Sequence, residues 1–136
     1  MIYNLVQYLR TQFPAEVFYP NAVFQVSTQD EIPDRRVLVQ QGGGVFQMKT
    51  RFTRTMVQVV TFDISSPLSR ALAYDIFSDI GDRNGLILPA ITVNGVLFPQ
   101  VETDVIRAMS PPQVLTTDEA ALSVWTTNYQ VSFTEA

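Results

Sequence analysis

The chain has 136 residues, enough for one domain that buries roughly two-thirds of the surface its unfolded form exposes. It carries 9 basic and 13 acidic residues, and a net charge of −4 argues against tight sequence-general DNA binding, where phosphate neutralisation dominates. It has no cysteine and no histidine, which removes disulfides, thiolate metal sites and every Ser-His or Cys-His nucleophile pair; an enzyme would have to work through carboxylates, tyrosine or the single lysine, Lys49.

The first element is helical. Ile2, Leu5, Val6, Leu9 and Phe13 make one apolar stripe, with Asn4, Gln7 and Arg10 off it. Pro14 stops the helix. The opening "MIYNLVQYLRTQF" lacks the basic leader, long apolar core and small-residue cleavage site of a signal peptide. No apolar run approaches a membrane span. The expectation is a soluble protein, with no membrane partner, that needs no oxidising compartment.

Residues 16–26 are rich in aromatic and β-branched types but broken by Pro20-Asn21, which reads as short strands around a turn. "QDEIPD" is a polar loop. "RRVLVQQ" is a short strand ended by glycines. "RTMVQVVTFDI" (54–64) is the longest strand signal. Met56, Gln58, Val60, Phe62 and Ile64 point one way, and Val57, Val59, Thr61 and Asp63 the other. Both faces carry apolar residues, which places this strand centrally.

Ser65-Ser66-Pro67 opens a second helix, because Ser caps and Pro suits the first turn. Leu68, Ala71, Leu72, Ile76 and Ile80 are its expected buried stripe, and Gly81 its stop. "ITVNGVLF" is a hairpin signal, since Asn-Gly suits a type I′ turn. "VETDVIRAM" continues as a strand, Pro111-Pro112 breaks the chain, and "TTDEAAL" is a turn or short helical piece. The last strand is "LSVWTTNYQVSF", where Trp125, Thr127, Tyr129, Val131 and Phe133 alternate with polar partners. The fold class is therefore α+β: one domain over residues 1–136, a mostly antiparallel sheet with two main helices packed on one face.

Three constellations bear on chemistry. The first is "QGGGVFQMKTRFTR" (41–54). A Walker phosphate loop needs Gly-x4-Gly-Lys-Ser/Thr ahead of a helix; here Lys49 stands five residues past Gly44 and a strand follows. No dinucleotide fingerprint is present either, so no cofactor is expected. Gly42, Gly43 and Gly44 suit a flexible loop between strands. Lys49, Arg51 and Arg54 then line either a solvated hairpin or a basic arm that orders on a partner.

The second is Asp75, Asp79 and Asp82. Asp75 and Asp79 are four apart and share a helix face. They read as a solvated face, as a salt-bridging contact with a neighbouring subunit or, with less support, as a metal or acid–base site. The third is Trp125, Tyr129 and Phe133 along one face of the last strand, which reads as core under a helix, with a ligand pocket as the alternative.

The order of elements, with "VLVQQGGG", "RTMVQVVTFDIS", "SRALAYDIFSDI" and "VWTTNYQVSF", resembles the tail terminator (tail-completion or minor tail) proteins of long-tailed bacteriophages. The resemblance implies an α+β subunit with no catalytic residues, assembled as a hexameric ring in the host cytoplasm and carried in the virion. Such a ring sits on the last ring of the tail tube protein, stops tube growth and offers its other face to the head–tail connector. DNA passes through it without specific binding. A cyclic ring needs two different patches on each subunit, and the basic arm and the acidic helix face are candidates; charge reversal at Arg51 and Arg54 is then expected to weaken the ring. The alternatives are another phage neck or minor capsid head–tail joining protein and, from a different class, a small-molecule-binding α+β domain.

Overall fold

The periodicities become two helices laid on one face of a sheet in the computed structural model, which describes residues 1–20, 34–42, 53–115 and 122–135. Helix α1 (Ile2–Gln12) ends ahead of Pro14, and its last turn closes with the Phe13 amide on the Leu9 carbonyl at 2.8 Å. Strand β1 (Phe18–Pro20) follows, then β2 (Arg36–Gly42) and β3 (Thr53–Asp63). Helix α2 (Ser66–Ile80) leads to β4 (Arg83–Asn84), β5 (Ile87–Leu88), β6 (Ile91–Val93), β7 (Val96–Phe98), β8 (Val101–Ala108), β9 (Gln113–Val114) and β10 (Ser123–Glu135).

The main sheet runs β1-β2-β3-β10-β8-β4, with β5 also on β8 and β9 also on β10. Among the described residues only the β1–β2 pair is parallel. Strand β3 is central, between β2 and β10, as its two apolar faces require. Register puts Val57 opposite Tyr129, Val59 opposite Thr127 and Val39 opposite Val59, so these side chains share one face. Both helices cover that face. Leu5 and Leu9 of α1 and Leu72, Ile76 and Ile80 of α2 join the valines and Tyr129 in one continuous core. Each such fully buried aliphatic side chain stabilises the fold by about 1.5–3 kcal/mol. The chain is a single small α+β domain. No helix among the described residues is long and apolar enough to cross a membrane.

Two expectations about the helices need correction. Asn4, expected off the stripe, is 1% exposed and sits inside the α1 interface. In α2, Leu68 and Ala71 are exposed while Ser69 and Ala73 are buried. Ser69 faces the sheet together with Leu72, Ile76 and Ile80. Its hydroxyl lies 3.2 Å from the Thr61 and Ser123 carbonyls, and the Thr61 hydroxyl donates to the Ser69 carbonyl at 3.1 Å. A hydrophobic pattern cannot register a serine satisfied this way. Gly81 ends α2 as expected, with φ −65. Glycine is needed there for space: a Cβ would stand 2.5 Å from the Phe77 carbonyl oxygen. The left-handed position falls one residue later, on Asp82 at φ 54.

On β10, Thr127, Tyr129, Val131 and Phe133 are buried on the core face, and on the opposite face Val124, Thr126 and Ser132 are buried as well while Asn128 between them is exposed, so that face is covered in part. Trp125 is half-buried at the edge of α2, its ring 6.5 Å from Tyr74, with the Arg70 guanidinium 4.4 Å from the Tyr74 ring. The reading of residues 116–121 as a turn or helix lies outside the described residues, as does most of the polar loop before Asp34.

Candidate protein interface

The acidic residues on and after α2 do not form one face. Asp75 is exposed on the helix. Asp79 is half-buried and engaged internally: Arg83 approaches its Oδ1 at 3.8 Å and donates to its backbone carbonyl at 3.1 Å. The Tyr8 phenol of α1 also lies beside it, and burial together with the Asp79 charge raises the phenol's pKa. Asp82 stands past the helix end in its left-handed turn. Asp75 and Asp82 are thus available to a partner, whereas Asp79 helps to hold α1 against α2. Among the described residues no cluster of three acidic side chains is arranged to hold a metal ion.

Of the basic arm, Gly42 is the last residue of β2 and Arg54 an exposed residue early in β3, paired in register with Ser132. A Cβ on Gly42 would meet the Met56 side chain at 3.5 Å, ordinary packing, so strand geometry does not demand glycine there. Gly43, Gly44, Lys49 and Arg51 lie outside the described residues.

A charge cluster went unread in the sequence. Arg35 donates to both oxygens of Glu16, at 2.7 and 2.9 Å, and to Asp63 Oδ2 at 2.7 Å. Asp63 also accepts from the Ser65 amide at 3.0 Å, at the start of α2. Burial pushes the Asp63 carboxyl up, but the Ser65 amide and the Arg35 guanidinium outweigh it and hold the group below the usual carboxylate range. The cluster ties the segment after α1, the start of β2 and the turn into α2 to one another. Its partners are spread over the chain, so no local motif announces it.

The surface that stands out is the β6–β7 hairpin. Among the described residues it pairs only with itself and lies outside the main sheet. Asn94 at φ 50 and Gly95 at φ 81 form its tip, as the Asn-Gly signal requires. Its base rests on α1: the Phe98 ring lies 4.8 Å from Tyr3, and Asn4 donates to the Pro89 and Pro99 carbonyls at 2.9 Å and to that of Phe98 at 3.3 Å. Beyond the base, Val96 is 56% and Leu97 63% exposed. From Asn84 to Val101 no residue is charged, in a chain where charged residues make up 16%. That charge-free run is the sequence signal for this surface; hydropathy and turn chemistry predict the hairpin without predicting that it stands apart. Exposed aliphatic side chains, and strand edges left unpaired among the described residues, suit contact with another protein.

No family model matches the chain, and no curated protein matches it.

Proposed function

We propose that the protein is a structural subunit that self-associates into a ring, and that the ring is the tail terminator of a long-tailed bacteriophage, capping the tail tube and presenting a surface to the head connector. The observation that carries this is the hairpin: an uncharged, aliphatic β-arm, anchored on α1 and standing clear of the sheet. A lone two-stranded ribbon is marginal in water, and here a buried asparagine is committed to holding it. Such an arm suits a docking role. The order of elements supports the same reading, with a long central strand running into a helix and a long terminal strand pairing back along it.

Capping needs no bond-making. One face of the ring matches the tube end, the opposite face does not repeat that match, and growth stops by geometry. The acidic balance of the chain suits a passage for DNA, because few phosphates are neutralised and retention is weak. Exposed Asp75, Asp82 and Arg54 supply further contacts between subunits or to the tube.

The test is to add the purified protein to polymerising tail tube protein from the same genome. The expected result is short tubes with a ring at one end, a central hole in negative-stain images, and a hexameric mass. Tubes of unchanged length, together with a monomeric mass and a melting temperature raised by a small molecule, would replace this reading with the binding-domain alternative.

A further inference from the structure

We infer that the β6–β7 hairpin of one subunit docks on the opposite, uncharged end of a second copy of this chain. The inference rests on the self-association reading above and names its contact. Two patches carry it, and they lie at opposite ends of the sheet. The hairpin leaves the sheet between β5 and β8, where Leu88 pairs with Val101 and Val101 with Glu135, at the end of β10. The second patch gathers where β10 begins. There Ser123 pairs with Asp63, Ser69 reaches the Ser123 carbonyl, and the Leu115 amide donates to the Val124 carbonyl at 2.8 Å. Ile64, Leu68, Val114 and Leu115 are all exposed at this end, Ile64 by 67%. Twelve steps along β10, at about 3.3 Å each, separate the two ends by roughly 40 Å. The hairpin of a subunit therefore cannot cover its own second patch.

The two patches match in chemistry. Residues 64–69 and 108–115 carry no charge, as the hairpin carries none. Among the described residues the carboxylates beside this end, Asp63 and Glu16, are both bonded inside the subunit by Arg35. Bringing the patches together strips no ion of water and removes exposed aliphatic surface from solvent on both sides. A nucleic acid or a charged protein surface would find no counter-charge within residues 64–69, 108–115 or 84–101. The backbone matches too. Among the described residues β9 pairs only with β10 and the hairpin only with itself, so either can be extended by the other. Because the two patches differ, the contact is head-to-tail, the kind that closes into a ring when the rotation between subunits allows.

The test uses the full chain and two double variants: Val96→Asp with Leu97→Asp on the hairpin, and Leu68→Asp with Leu115→Asp on the receiving end. All four side chains are exposed, so unchanged melting curves are expected and check that each variant folds. Mass is measured by light scattering over a wide concentration range. Wild type should associate, and each variant alone should associate at least about tenfold more weakly. An equimolar mixture of the two variants keeps one intact hairpin and one intact receiver, and should give a discrete heterodimer that grows no further. Variants that associate like wild type would overturn the docking and leave self-association standing. Two weakened variants that form no heterodimer would overturn it as well, since the contact would then not be head-to-tail. A wild type that stays monomeric throughout would remove the self-association reading, and the docking with it.

Discussion

Asn4 Nδ2 donates to the Pro99 carbonyl at 2.9 Å, although 95 positions separate the two residues in the chain. The same amide reaches the Pro89 carbonyl at 2.9 Å, on the other side of the hairpin. One side chain of α1 thus holds both feet of the β6–β7 ribbon. These carbonyls belong to prolines flanking a short strand pair and lie outside its ladder. A buried donor is what satisfies them.

Replacing Asn4 by Ala should therefore destabilise the fold by about 1–3 kcal/mol, through the lost hydrogen bonds of a buried amide and the space it leaves. The loss should be local first. Hydrogen exchange should show the amides of β6 and β7 losing protection while those of β3 and β10 keep theirs. Equal loss across the sheet would contradict the anchoring role.

Arg35 joins Glu16 and Asp63 but is itself more than a third exposed, so solvent screens the pair and Arg35→Ala should cost only about 1 kcal/mol at neutral pH. The pH dependence has a defined sign. Asp63 titrates below its ordinary value when folded, so its contribution is present above about 3.9, the unfolded value, and is lost as pH falls through the folded value. Urea denaturation should show wild type more stable than Arg35→Ala at pH 7, with the gap closing toward pH 3. A gap that widens in acid would assign the stabilisation to some other group.

Gly81→Ala should destabilise by about 1–3 kcal/mol, because the new methyl would lie 2.5 Å from the Phe77 carbonyl and the end of α2 must shift. Gly95→Ala meets no atom within 4 Å but must adopt φ 81, which costs about 1–2 kcal/mol and loosens only the hairpin tip. Thermal melts of both, with exchange at the hairpin, separate a packing effect from a backbone one.

Tyr129 is 1% exposed, and its hydroxyl faces Thr127 without a well-formed hydrogen bond. Burial raises its pKa far above the usual tyrosine value. Tyr129→Phe should leave stability within about 1 kcal/mol of wild type or raise it, since an unsatisfied polar group is removed from the core. A large loss would mean that the hydroxyl has a partner under solution conditions.

The sequence by itself determined the elements and their class. Helical spacing in 2–13, the two-sided apolar strand ending at Asp63, the Ser65 cap with Pro67, and Asn94-Gly95 each depend on residues close together in the chain, and each appears where its local physics puts it. Pairing order decided the rest. Asn4 is a core residue because two prolines far along the chain present carbonyls to it; Ser69 faces the sheet because Thr61 and Ser123 bond to it; Arg35 is a clip because Glu16 and Asp63 converge on it. Those are polar groups, and a polar group's burial depends on where its partner lies. Hydrophobic periodicity records which side chains leave water; it carries no record of distant hydrogen-bond partners. The candidate interface divides the same way. The absence of charge from 84–101 was written in the chain, but only the register of β5, β8 and β10 sets that run at the end of the sheet opposite Ile64 and Leu68.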